Sequence, residues 1–269
     1  MLGKLFKHEM RATARIMWPI FAALLALSVL GNLSTRALNR EMPGIINTLA
    51  VLVLVAFVFA VIAVSVMSLI VMIGRFKGNL LSDEGYLMFT LPVSVHSLVW
   101  SKILSSLIWF VASGAAMALA MIILSFRVEF VGEFLDSLRR AFVQFNIPAG
   151  SGGHIALIIA EFAAAVILAG IGTCLVFYAA MAVGYGFARH KALLSVVFFF
   201  VFMFATQIFG TLFGYLLGRG YMNIQLTSFV QSLRFAAGGL GWTLLAETIF
   251  AAAFYFVTTL CLRRRLNLE

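Results

Sequence analysis

Six long stretches of the chain are almost entirely apolar, and polar residues cluster in the segments between them. The stretches are Ile16–Leu33, Ile45–Ile73, Leu98–Phe126, Ile155–Phe187, Ala192–Leu217 and Leu240–Leu262. A helix needs about 20 apolar residues to cross the hydrocarbon core of a bilayer. Strands of a membrane barrel would alternate polar and apolar residues, whereas these stretches are apolar all round. The pattern therefore predicts an all-α membrane protein with six transmembrane helices.

Composition leads to the same class of protein. Hydrophobic residues make up 63% of the 269 residues and charged residues only 11%, compared with about 25% charged residues in soluble domains. A water-soluble fold has too little interior to bury this much apolar surface. Six spans with short connections account for the length, so we expect one transmembrane domain over residues 1–269 and no large domain outside the lipid bilayer.

The basic residues carry an orientation signal. The formal net charge is +9, but these charges lie mostly at span ends, which does not favour nucleic acid as a partner. With the N-terminus inside, twelve of the 19 Lys and Arg residues fall on the cytoplasmic side. This bias predicts that both termini are cytoplasmic. The first apolar stretch is longer than the core of a secretory signal, so we expect a retained span.

An amphipathic segment over residues 1–15 precedes the first apolar stretch. Its basic residues, Lys4, Lys7, Arg11 and Arg15, recur at three- and four-residue steps and therefore share one helical face. Such a helix rests along the inner membrane surface, with its basic face toward anionic headgroups or a protein partner. The alternative is a simple topology anchor. A second amphipathic helix, with Phe residues at helical spacing, is predicted in the outer loop over residues 127–153.

The cytoplasmic loop over residues 75–97 has the most distinctive pattern. Ser82 is a suitable N-cap, and acidic residues in the first turn would favour a helix after it. Pro92 predicts a break before the next span. Between these points lie large apolar residues that a solvated loop does not need, namely Tyr86, Leu87 and Phe89. They indicate a docked partner.

The run Ser82-Asp-Glu-Gly-Tyr-Leu-Met-Phe-Thr-Leu-Pro-Val-Ser94, followed by Ser101-Lys102, resembles bacterial ABC-2 type permeases. The opening Met1-Leu-Gly-Lys-Leu-Phe-Lys-His-Glu9 is also similar to the start of many such permeases. These motifs fill about a sixth of the chain. The resemblance implies half of the membrane domain of an exporter, with a coupling helix between spans two and three. It also implies short re-entrant helices between spans five and six, for which Arg219 to Gly239 is the candidate segment.

The resemblance assigns roles to residues and to partners. The implied ATPase-coupling residues are Asp83, Glu84, Tyr86, Leu87, Phe89 and Leu91, and the interface helix is the segment that carries Lys4 to Arg15. The implied partners are a separate ABC ATPase subunit and a second permease chain, identical or different. ATP and Mg²⁺ would bind to the ATPase, and this chain would bind no cofactor and catalyse no reaction. Its location would be the bacterial plasma membrane.

The sequence is consistent with ATP binding to a separate subunit, because it contains no G-x-x-x-x-G-K-[ST] phosphate-binding motif. The Phe-rich spans and short loops suit an amphipathic substrate, such as an antimicrobial peptide or a drug. Cys174 and Cys261 lie in apolar runs and suggest neither a disulfide framework nor a metal site.

Two acidic residues lie within spans, where a charge is costly and therefore a candidate for function. Glu161 and Glu247 could line a substrate path, or they could simply hydrogen-bond to a neighbouring helix. They also support a second interpretation, an ion-coupled secondary transporter or channel. An intramembrane enzyme would need further catalytic groups at the same depth, which the pattern does not supply.

A glycine series on span five indicates close helix packing. Gly210, Gly214 and Gly218 recur every fourth residue and so lie along one helical face. Two interpretations remain open at this point, a seam between two permease chains and a contact within one chain.

Overall fold

The computed structural model describes residues 2–39, 43–82, 85, 90, 93–126, 132, 136–137, 139–140, 152–187, 189–221 and 229–264. These residues form six long α-helices. They are α1 (Leu2–Leu38), α2 (Gly44–Phe76), α3 (Val95–Ser125), α4 (Gly152–Gly184), α5 (Lys191–Tyr221) and α6 (Phe229–Arg264). A π-helical turn, Lys77–Leu81, follows α2. The described residues contain no β-strand.

All six helices are long and apolar enough to cross a membrane. The prediction of an all-α membrane protein with six transmembrane helices is therefore confirmed. Helices are the expected outcome because the bilayer core offers no water to the backbone, so each N–H and C=O group must be paired within the segment.

The amphipathic segment over residues 1–15 is helical, but it is continuous with the first span. Together they form one helix of 37 residues. No helix-breaking residue separates the basic segment from the apolar run, and Pro19 lies inside the helix. The four basic side chains of the predicted interface, Lys4, Lys7, Arg11 and Arg15, are exposed.

The chain divides into two compact units. The first unit comprises residues 1–72 and 104–145. Its core is formed by the buried side chains Met17, Phe21, Leu24, Phe57, Val64, Val71, Trp109, Ala116 and Ala120. Small residues among them let the helices approach one another closely. The Trp109 indole N–H donates a hydrogen bond of 2.6 Å to the Thr13 hydroxyl, which joins α3 to α1.

The second unit comprises residues 73–103 and 146–269. Here α4 packs against both α5 and α6. Aromatic rings make many of the side-chain contacts, as in the stack of Phe177 on Phe199, whose centroids are 4.4 Å apart. Such pairs add packing energy that does not depend on exclusion of water.

The start of α6 differs from the sequence prediction. The span was predicted from Leu240, whereas the helix begins at Phe229. Residues 229–239, part of the segment predicted to form short re-entrant helices, are therefore continuous with the last span, although they include Gly238 and Gly239. Residues 222–228 lie outside the described residues, as does most of the predicted outer-loop helix. Glycines remain helical in lipid because no water is available there to hydrogen-bond to an unpaired backbone.

Asn32 provides a polar link within the first unit. Its side-chain N–H groups lie 3.0, 3.0 and 2.9 Å from the carbonyl oxygens of Ile123, Leu124 and Phe126. These carbonyls are at the end of α3, where few backbone N–H groups are left to pair with them. The Ile123 carbonyl also accepts from the Phe126 backbone N–H, and the Phe126 carbonyl from an Arg36 N–H, each at 3.3 Å. Asn32 is thus a C-terminal cap supplied by a different helix.

Replacing Asn32 with Ala should destabilise the protein by about 1 kcal/mol, because the carbonyls at the end of α3 lose a side-chain donor. The measurement is the midpoint of thermal unfolding of the purified protein in detergent. Asn39→Ala is the control, because Asn39 is exposed just beyond the end of the same helix. Equal midpoints for the two variants would contradict the capping role.

Candidate functional site

The segment that follows α2 is anchored in the second unit. In the π-helical turn, Asn79, Leu80 and Leu81 are buried. Just before it, the ring of Phe76 stacks on that of Tyr178, with centroids 4.0 Å apart and planes 7° from parallel. Both rings are fully buried. The first part of the predicted coupling loop is therefore fixed against α4. Isolated π-helical turns are frequent at functional sites.

A tight turn continues this segment. The Gly85 backbone N–H donates a hydrogen bond of 2.7 Å to the Ser82 carbonyl. A Cβ atom added to Gly85 would lie 2.7 Å from the Leu80 carbonyl oxygen, so the backbone approaches itself too closely for any other residue. The Ser82 hydroxyl donates to the Gly78 carbonyl. Its predicted role as a helix N-cap stays a prediction, because residues 83 and 84 lie outside the described residues.

The predicted coupling residues themselves lie outside the described residues. They are Asp83, Glu84, Tyr86, Leu87, Phe89 and Leu91. Their docking role stays a prediction, as does that of the basic face formed by Lys4 to Arg15.

A polar cluster at the start of α3 was not foreseen from the sequence. His96 Nδ1 lies 2.6 Å from the Tyr255 hydroxyl, and an Arg263 guanidinium N–H donates to His96 Nε2 at 2.8 Å. A guanidinium can only donate, so Nε2 is the acceptor and Nδ1–H is the donor to Tyr255. The cluster joins the end of the loop 75–97 to α6. No local pattern could reveal it, because 159 residues separate His96 from Tyr255.

The two acidic residues within spans have different positions. Glu161 lies in α4, and a Cβ atom added to Gly241 of α6 would be 3.9 Å from its Oε1 atom. Glu247 lies half-way along α6. In each carboxyl group the Oε2 atom is buried and has no hydrogen-bond partner among the residues that the structure describes. Hydrogen bonding to a neighbouring helix therefore does not account for these two oxygens.

A cavity of about 450 Å³ lies between α5 and α6 and includes Glu247 in its lining. Two of the predicted packing glycines, Gly210 and Gly214, also line it. A Cβ atom added to either would meet nothing within 4 Å, so this face is open within the described chain. Gly218 also lies in α5. A contact of this face with a second permease chain stays a prediction.

Comparisons with protein-family models, with curated proteins and with solved structures find no match to this chain. Within the described ranges, no three His, Cys, Asp or Glu side chains come together as ligands for a metal ion.

Gly85→Ala should destabilise the turn after α2, because the added Cβ would clash with backbone atoms of Leu80. Overpacking of this kind costs about 1–3 kcal/mol. We expect faster tryptic cleavage at the exposed Lys77 in the purified protein. Gly78→Ala is the matched control, since its Cβ would meet nothing within 4 Å. Similar cleavage rates in the two variants would show that the close backbone approach at Gly85 does not stabilise the turn after α2.

Proposed function

We propose that this chain is the membrane-spanning permease subunit of an ATP-driven ABC exporter. The observation that carries the proposal is the anchored segment after α2, which leads directly into the run 82–94 that resembles the coupling element of ABC-2 type permeases. Six membrane-length helices support the same assignment. In this proposal the chain has no ATPase site, and hydrolysis of Mg²⁺-ATP takes place on a partner subunit.

The proposed mechanism transmits motion from the ATPase to the spans. ATP binding closes two ATPase subunits, and their movement displaces the coupling loop of each permease chain. One route into the membrane is the stack of Phe76 on Tyr178, which connects the loop to α4. A second is the His96 cluster, which connects the other end of the loop to α6. Packed contacts of this kind carry conformational coupling when both arrangements are stable.

The orientation in this proposal places both termini and the loop 75–97 in the cytoplasm of a bacterial cell, consistent with the excess of basic residues on that side. The N-terminal basic face would then lie beside anionic headgroups and the ATPase. An identical or different permease chain completes the export path. The substrate is amphipathic, with antimicrobial peptides and drugs as the leading classes.

Substitutions in the coupling loop should separate this chain from its ATPase. We expect Tyr86→Ala and Phe89→Asp to reduce co-purification with an ATPase encoded beside it, because each removes an apolar group from the docking surface. We also expect loss of ATP hydrolysis stimulated by the permease in proteoliposomes. Phe130→Asp, the same change in the outer loop, is the matched control and should leave both readouts unchanged. A complex that stays intact in both loop variants would refute the coupling assignment.

A second candidate function is an ion-coupled transporter, favoured by the two buried carboxyl oxygens without a described partner. It predicts that the chain alone, without an ATPase, carries protons down a pH gradient in proteoliposomes that contain a pH-sensitive dye. Glu161→Gln or Glu247→Gln would abolish that flux. If the chain is a permease subunit, it should instead leave the pH gradient intact. The wild-type chain, Glu161→Gln and Glu247→Gln should then give the same dye signal.

A further inference from the structure

The cavity between α5 and α6 has an aromatic wall. Phe213 on α5 meets Trp242 on α6 edge to face, with ring centroids 6.3 Å apart. Phe250 on α6 also lines the cavity, and its ring lies 6.3 Å from that of Phe209 on α5. Aromatic faces attract cations through the quadrupole of the ring, most strongly when water is excluded.

Small residues create the space. Gly210, Gly214 and Gly239 line the cavity, and a Cβ atom at any of them would meet nothing within 4 Å. The resulting volume of about 450 Å³ is within the range of pockets that bind drug-sized molecules, roughly 300–1,000 Å³.

Glu247 provides the polar anchor of the cavity. Its buried Oε2 atom has no hydrogen-bond partner among the described residues. The hydroxyl groups that line the cavity donate elsewhere, since Thr206 bonds to the Phe202 and Met203 carbonyls and Thr243 to the Leu240 carbonyl. Shielding a carboxylate oxygen from water without a counter-charge is unfavourable, and a bound cation would offset that cost.

We propose that this cavity binds a hydrophobic organic cation, held by the Glu247 carboxylate and by the rings of Phe213, Trp242 and Phe250. Charge complementarity identifies the occupant, because a lipid chain or an apolar helix would leave the carboxylate without a partner. The role of the cavity in export rests on the proposed function, and it would make amphipathic cations the substrate class. The binding itself is a property of this chain alone.

The test is equilibrium dialysis of the detergent-purified chain against radiolabelled tetraphenylphosphonium, a hydrophobic cation. Wild type should bind it saturably, and Glu247→Gln should weaken the affinity roughly tenfold or more, because the pairing charge is lost. Gly210→Leu should weaken it similarly by filling the space. Two controls should bind like wild type: Asp136→Asn, an exposed acid, and Gly114→Leu, an exposed glycine of α3 with nothing within 4 Å of its Cβ.

Tetraphenylborate, an anion of the same shape, separates charge from fit. We expect it to bind wild type no better than it binds Gly210→Leu. The proposal would be overturned if both ions bound with equal affinity and Gly210→Leu weakened the binding of both. The cavity would then accept apolar molecules such as lipid chains regardless of charge. Unchanged cation affinity in both Glu247→Gln and Gly210→Leu would also overturn it.

A second copy of the chain is the remaining competitor for this face. With Cys174 and Cys261 replaced by Ser, Gly210→Cys would form disulfide-linked dimers in membranes if two α5 helices met there. Efficient cross-linking together with no saturable cation binding would overturn the proposal. The cation-binding result and ATPase co-purification test different proposals. If the ATPase complex is intact but cation binding does not respond to Glu247→Gln and Gly210→Leu, only the cavity assignment is refuted. If cation binding responds to these substitutions but the chain forms no complex with an ATPase, only the exporter assignment is refuted.

Discussion

The lack of water in a bilayer core requires every polar group within it to find a partner in the protein. The long helices satisfy the backbone, and the hydroxyl side chains follow the same rule. Ser68, Thr206 and Thr258 each donate to the carbonyl four residues earlier in their own helix. Against this background, a buried polar atom without a partner is conspicuous. The Oε2 atoms of Glu161 and Glu247 are two such atoms, and the proposed cation site follows from one of them.

Some polar side chains bond to a different helix, either at backbone carbonyls of a helix end or to another side chain inside the core. In the first unit, Asn32 caps the end of α3, and Trp109 pairs with Thr13. In the second unit, three pairs of aromatic rings link α5 to α6, namely Phe202–Phe254, Phe209–Phe250 and Phe213–Trp242. These long side chains span the gap between the two helices, and the glycines that line the cavity, Gly210, Gly214 and Gly239, leave that gap open.

The described ends of the loop 75–97 are both fixed by contacts distant in sequence. Phe76 stacks on Tyr178 at one end, and His96 bonds to Tyr255 and Arg263 at the other. In the proposed exporter, displacement of a loop fixed at both ends would be transmitted to the helices at those ends. The exporter proposal depends on this mechanical connection.

The sequence by itself determined the class of protein, the number of helices and most of their limits, because bilayer thickness sets a length that an apolar run either reaches or does not. It also identified Glu161 and Glu247, since a charge inside an apolar run stands out without any coordinates. It missed the first eleven residues of α6, whose glycines and polar side chains weaken the hydropathy signal. Only the tertiary structure brought His96 to Tyr255 and opened a cavity beside Glu247. Those features arise from side chains of different helices, and the spacing of residues along one helix carries no information about which helix lies opposite.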